Sequence, residues 1–376
     1  MISKAFPGNI DWQSLNLYET ISAYIWLYVP PILIPIGMIG NILIICVINR
    51  KVFHHSTTRI YMITISTLDI VVLLIGSLPE WLEECQVFVF KELGGMACKF
   101  EKFFFYTSSD TSIWILVLFA FDRCIAVMHP LKKRIICTEK NTVRIIIIIF
   151  ALTILKNIHV FWTRGPVYSK TNSTVIVKMC GQIEPHFEKF VRPWIAFTLI
   201  TILPFITLFI CNILIVIALQ RSQKKFIKSK TAQMIINRVR LPPTTVQKPE
   251  LKITEHTELF PSSKISKTSL DSALKLNIST VKNKIKNDRA MVSMTLMCLS
   301  SSFTFLICVA PNIIILIGKP YWKHTNAYII LKAINSQISN LNYTIDFFLY
   351  CFSGTKFRKE LRNMLFGKKR KSFITR

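Results

Sequence analysis

Apolar residues in this chain run in seven long blocks divided by short polar breaks, and they lack the spaced pattern of helices half exposed to water. Each block has roughly the 20 residues a helix needs to cross a hydrocarbon layer. In that solvent backbone groups must bond within their own segment, so the blocks are expected to be helices packed as one bundle. They fall at about 22–49, 59–82, 96–128, 142–163, 191–219, 289–317 and 326–352, and every break contains charge, Gly or Pro. The expected fold class is an all-α membrane protein, a seven-transmembrane helix bundle.

Three segments fall outside this pattern. Residues 1–21 read as an N-terminal tail, without a basic-then-apolar leader or a small-residue cleavage site, so the first span is expected to act as its own insertion signal. The stretch 221–288 is rich in Lys, Ser and Thr and too polar to bury a core, which reads as a disordered loop within the 22–352 bundle domain. Residues 353–376 form the last domain: Phe357, Leu361, Leu365 and Phe366 recur near helical spacing among basic residues, as in a short amphipathic helix lying on anionic lipid, followed by a basic tail.

Composition changes the picture only through charge. The chain is 51% hydrophobic, with a formal net charge of +27. Such a charge raises nucleic-acid binding, but the Lys and Arg gather after alternate blocks, at Arg50, Lys51 and Arg59, at Lys132 to Arg134, through the long polar loop, and from Lys356 to Lys371. That is the positive-inside bias of a multi-pass protein. Acids gather at the other ends, at Asp11, Glu19, Glu80, Glu83, Glu84 and Glu92. The expectation is an N-terminus outside, a C-terminus in the cytoplasm, and no nucleic-acid partner.

The chemistry-bearing residues follow an order. Gly40-Asn41 lies in the first block, Leu68-Asp69 in the second, Cys98 at the start of the third with Asp122-Arg123 at its close, Pro204 in the fifth, Cys308-Val309-Ala310-Pro311 in the sixth, and Asn342 with Asp346 to Tyr350 in the seventh. Order and separations across all seven blocks resemble the rhodopsin-like (class A) G-protein-coupled receptors. Pro35 to Asn41, Ser56 to Tyr61 and Cys308 to Pro311 further resemble invertebrate neuropeptide receptors of the FMRFamide and thyrotropin-releasing-hormone type.

The resemblance implies a G-protein-coupled receptor of the plasma membrane that binds an extracellular ligand, a neuropeptide by this likeness, and activates heterotrimeric G protein. Asp122, Arg123, Tyr350, Pro204 and Pro311 would form its activation switch, Arg123 being held by Asp122 at rest and offered to the partner once the sixth span moves outward. It also implies a disulfide between Cys98 and Cys180. Asn172-Ser173-Thr174 is a glycosylation acceptor. An ionisable group inside lipid needs inward-facing partners, so Asp69 is expected to join Asn41, Ser112, Asn342 and Asp346. That cluster would hold Na⁺ through oxygen ligands, or be a hydrogen-bonded structural cluster with no ion; both readings stay open. No other cofactor is implied. Departures from the family pattern are Val309 for tryptophan, Phe347 for proline, Asn212 for tyrosine and Cys124 for tyrosine.

For the ligand, Phe105 stands where amine receptors carry an aspartate, and Asn340 where visual pigments carry a retinal-binding lysine. Both classes are therefore disfavoured. Glu80 and Glu83, with Phe105 nearby, are candidate ligand contacts for a basic peptide end, against the reading of a solvated acidic rim that helps set topology. Asp110 and Lys156 are opposite charges at similar depth that lipid should force together. No nucleophile with a base, phosphate loop or metal-ligand cluster points to an enzyme. The alternatives are a lipid or nucleotide receptor, a non-coupling decoy, and, further off, a transporter, which would show repeat symmetry or broken helices.

Overall fold

The computed structural model describes residues 16–53, 56–85, 94–168, 176–184, 186–239, 292–311, 314–315 and 325–367. The chain divides into one unit of Met1–Ile215 with Ser293–Arg376, and a second of Val216–Val292. The first unit holds the bundle.

The first span is two helices, α1 (Leu17–Tyr28) and α2 (Pro30–Ile48). It begins five residues before the expected boundary at 22. Asn16 caps it: the Asn16 side chain accepts from the Glu19 backbone and Glu19 accepts from the Asn16 backbone, both at 3.0 Å. This capping box satisfies two orphan donors and sets the start ahead of the apolar run. The second span is α3 (Thr57–Val72), a widened turn over Leu73–Ser77, and α4 (Leu78–Glu84), in which Pro79 lies in the first turn. The third is one unbroken helix, α5 (Gly95–Met128), followed by the short α6 (Pro130–Ile136).

The fourth span, α7 (Glu139–Asn157) with α8 (Val160–Thr163), shows what solvent this fold is built for. Its buried side chains in α7 are Thr142, Thr153 and Asn157, whereas Ile147, Ile148, Leu152 and Leu155 are 56–67% exposed. A helix in water would do the reverse; in hydrocarbon the polar groups turn inward to find partners. A hairpin of β1 (Arg164–Tyr168) and antiparallel β2 (Ile176–Gln182) follows.

Next come a widened turn at Phe187–Val191, α9 (Arg192–Ala196), a second widened turn at Phe197–Ile202, and α10 (Leu203–Val239). Here the expected disordered loop needs correcting, because α10 carries helix through 221–239. Lys, Arg and Gln are frequent in that stretch, and such residues favour helix without a core to bury. Residues 240–291 lie outside the described set. The sixth span is α11 (Val292–Pro311). The seventh is α12 (Ala327–Thr344) and α13 (Asp346–Ser353), separated by a turn at Ile345, and α14 (Thr355–Phe366) is the expected amphipathic helix.

Six of these stretches are long and apolar enough to cross a membrane. The seventh span falls short because its interior carries Asn335, Ser336, Gln337, Ser339, Asn340 and Asn342. The main core joins Ile44 and Ile48 of α2, Tyr61 and Met62 of α3, Ile115 and Phe119 of α5, Leu208 of α10, Phe305 of α11 and Tyr350 of α13. Phe357 of α14 is fully buried in that core, so one face of the short helix seals the bundle while Arg50 reaches Glu360 across 2.9 Å.

Candidate functional site

Three polar sites lie along α5, near its start, its middle and its end. Near the start a cavity of ≈ 700 Å³ is lined by residues from the second to the seventh spans. Of the candidate ligand contacts, Glu80 and Phe105 line it, and Glu83 is not among its lining residues. Glu80 sits part-way down a wall and accepts a 3.3 Å hydrogen bond from Ser336, whereas Glu84, further along, faces Lys332 at 3.6 Å. On the opposite wall Lys156 donates to Asp110 Oδ2 at 2.6 Å, and the Asn157 amide donates to the same oxygen at 2.7 Å. The expected charge pair is therefore present, with a partner from the next residue. Beside it, the Arg192 guanidinium lies 4.8 Å from the centroid of the Tyr106 ring. Cys98, wholly buried at the head of α5, is disulfide-bonded; the side chain of Cys180 and all of Asn172 lie outside the described residues.

In the middle, a cavity of ≈ 20 Å³ is lined by Asp69, Ser112, Asn342 and Asp346, together with Ser301 of α11. Ser112 donates to Asp69 Oδ1 at 2.9 Å, and Ser301 to Asp346 Oδ1 at 2.9 Å. The Tyr350 hydroxyl donates to Asp346 Oδ2 at 3.2 Å. Asn342 lines this cavity and the large one. Asn41 departs from the expectation. Its amide donates to the carbonyls of Gly37 and Tyr343, each at 2.9 Å, so it joins α2 to α12 through the backbone and does not line the cavity. The sequence reading missed Ser301, although Ser300-Ser301-Ser302 interrupts an otherwise apolar sixth span and was a visible signal.

At the end of α5, Arg123 and Asp122 form an ion pair in which both side chains are 1% exposed. Arg123 also donates to Thr57 Oγ1 at 3.4 Å, and its guanidinium lies 5.6 Å from the centroid of Phe119. Beyond the span, burial pushes the Cys137 thiol up to about 11, with the nearby Asp122 carboxylate adding to it. Burial, with the Arg123 guanidinium, holds Lys133 below the usual lysine range. Water is scarce around this pair, which is where a charge-assisted bond is strongest.

The two prolines of the proposed switch are placed differently. Pro204 is the second residue of α10, directly after the widened turn that absorbs its missing N–H. Pro311 is the last residue of α11, and 312–313 lie outside the described residues, so a mid-span kink there is not described.

The model of the 7 transmembrane receptor (rhodopsin family) matches residues 40–351. The chain belongs to this family. The receptor is thus a multi-pass membrane protein. It is 29% identical over 210 residues to the C-C chemokine receptor type 1 of Homo sapiens, covering 53% of this chain and 55% of that one. It is 25% identical over 146 residues to the thyrotropin-releasing hormone receptor of Mus musculus, covering 39% and 36%. It is 28% identical over 128 residues to the neuromedin-U receptor 2 of Homo sapiens, covering 34% and 30%. The receptor therefore spans between 30% and 55% of the length of these curated relatives.

Proposed function

We propose that this receptor sits in the plasma membrane, binds an extracellular peptide in the large cavity and passes the signal to a heterotrimeric G protein at the Arg123 end. The observation that carries the reading is one 34-residue helix, α5, which lines a wide charged cavity near its start and holds a buried arginine lock near its close. A volume of ≈ 700 Å³ lies within the usual range for ligand sites, and the lining carries both signs of charge, as a peptide end with charged and amide groups requires. Thyrotropin-releasing hormone and neuromedin-U receptors among its relatives support a peptide ligand.

Within that cavity Glu80 would accept a basic group of the peptide. Coupling would follow release of Arg123 from Asp122 as α11 moves outward, which turns its fork of donors toward an inserted partner segment. The Cys98–Cys180 bridge belongs to the same reading: Cys98 carries a disulfide, and eight other cysteines are free thiols. Glycosylation at Asn172 goes with it, as does contact of α14 with lipid.

The small cavity suits sodium: each of its polar residues can offer a side-chain oxygen, and it has room for one small ion or one water. Asp69, Ser112, Ser301, Asn342 and Asp346 would hold the ion, which would supply positive charge between the two carboxylates. The serine and tyrosine hydrogen bonds they already make support the ion-free cluster equally.

The test is calcium and cyclic-AMP signalling in cells expressing the receptor, challenged with a panel of amidated neuropeptides. One or more peptides should evoke a response that Arg123→Ala abolishes at equal surface expression, and Glu80→Gln should lower potency for a peptide with a basic end. Silence across the panel moves the reading to a lipid or nucleotide ligand, or to a decoy.

A further inference from the structure

The ion pair of Asp110 and Lys156 is not fully spent on itself. Asp110 Oδ2 takes both the Lys156 ammonium, at 2.6 Å, and the Asn157 amide, at 2.7 Å, while Oδ1 accepts no hydrogen bond among the described residues. Oδ1 is not sealed off either: Asp110 is 5% exposed, and it lines the large cavity. Lys156 has a donor to spare as well. Its ammonium carries three N–H groups, of which two go, among the described residues, to Asp110 Oδ2 and Asn157 Oδ1. The Lys156 side chain is 21% exposed and lines the same cavity. One unspent acceptor and one unspent donor therefore stand side by side on a single ion pair. It sits about 22 Å along α5 from Gly95, at 1.5 Å per residue, a depth at which a low dielectric strengthens each hydrogen bond.

We propose that this pair is a ligand subsite and that it takes a carboxamide. The amide N–H donates to Asp110 Oδ1, and the amide carbonyl accepts from Lys156 Nζ, so both leftover valences are used at once. The inference rests on the peptide reading of the cavity and adds the group that its deep part recognises. Charge selects against the rivals. A ligand carboxylate meets Lys156 but stands against Asp110 Oδ1 with no proton to offer. A ligand ammonium meets Asp110 but stands against Lys156 and against Arg192, which lines the cavity too. An apolar group covers both valences and leaves them unmade, which costs more than the bonds gain. A neutral group with donor and acceptor on neighbouring atoms satisfies both, and a site built to pair such a group rejects analogues that lack it. In a peptide, two sources carry it as a primary amide: an amidated C-terminus and the side chain of Asn or Gln.

The experiment incubates the full-length receptor in phosphatidylcholine nanodiscs with equimolar pools of random-sequence pentapeptides made without Asn and Gln, ending in carboxamide, carboxylate or N,N-dimethylcarboxamide. Retained peptides are identified by mass spectrometry against empty nanodiscs. Carboxamide peptides should exceed each of the others about ten-fold, the factor for losing one hydrogen bond to a charged group. The dimethyl form keeps the carbonyl and lacks the N–H, so it tests the Asp110 contact in the unaltered receptor. A carboxylate pool with Asn and Gln restored separates the sources: enrichment of those residues assigns the subsite to a side chain, and enrichment confined to the carboxamide pool assigns it to the chain end. Asp110→Asn leaves Lys156 cationic beside a neutral amide, and the preference should turn to carboxylate. The ratio between pools does not depend on how much receptor is folded, so an aspartate with a structural role alone leaves it unchanged, and that result overturns the subsite. Equal retention of all pools by the unaltered receptor overturns it too, with the peptide reading intact; retention of none overturns the peptide reading and the subsite together.

Discussion

Lys156 and Asp110 lie on different helices, and the residues around them explain why neither charge is free to leave. Asp110 is 5% exposed, and one of its oxygens takes both the Lys156 ammonium and the Asn157 amide. Breaking such a pair by removing one partner strands the other charge, at about 3–5 kcal/mol. Asp110→Asn and Lys156→Met are therefore each expected to lower thermal stability and surface expression, while the exchange Asp110→Lys with Lys156→Asp recovers much of both. Unfolding temperatures of the purified variants measure this, and an exchange no better than the single changes would count against the pairing. The pair was legible in the sequence, since two opposite charges at one depth in lipid have few alternatives. Asn157 was not, because a neutral polar residue in an apolar run does not reveal which neighbour it serves. Asn41 misled for the same reason: its amide goes to two backbone carbonyls, a choice that depends on how closely α12 passes.

Between elements, contact distance is set by the smallest residues. Gly76 of the second span lies against Phe105 of α5 so closely that an added Cβ would stand 2.1 Å from the ring. Gly76→Ala must then either part the two helices or turn Phe105 into the large cavity that it lines. Overpacking of this kind costs about 1–3 kcal/mol. The expected result is a lower unfolding temperature that Phe105→Ala relieves in the double variant, whereas additive losses would show that the ring is not the obstacle. At this scale the sequence was most informative where solvent fixed the answer: the apolar blocks located all seven spans. It was least informative where local backbone chemistry ruled. The capping box at Asn16 starts α1 before its apolar run, and helix propensity carries α10 to Val239 through residues too polar to look structured.

Across the whole molecule, charge and burial together carry a prediction of orientation. The acids Glu80 and Glu84 and the disulfide-bonded Cys98 stand where the large cavity is lined or approached, whereas Arg50, Arg59, Lys132, Lys133 and Arg134 stand at the ends of spans near Arg123. Positive charge stays on the cytoplasmic side during insertion, and disulfides persist in oxidising compartments. The prediction from both arguments is a cavity that faces outside and an Arg123 that faces inside, which would put Asn172, between β1 and β2 in sequence, on the glycosylated side. Two measurements on intact cells test this together. Peptide-N-glycosidase should increase the gel mobility of the receptor, and Asn172→Gln should remove that shift. An epitope fused after Arg376 should bind antibody only once cells are permeabilised. A C-terminal epitope exposed on intact cells would invert the bundle, and it would take with it the assignment of the cavity to an extracellular ligand and of Arg123 to an intracellular partner, because each depends on the side of the membrane it faces.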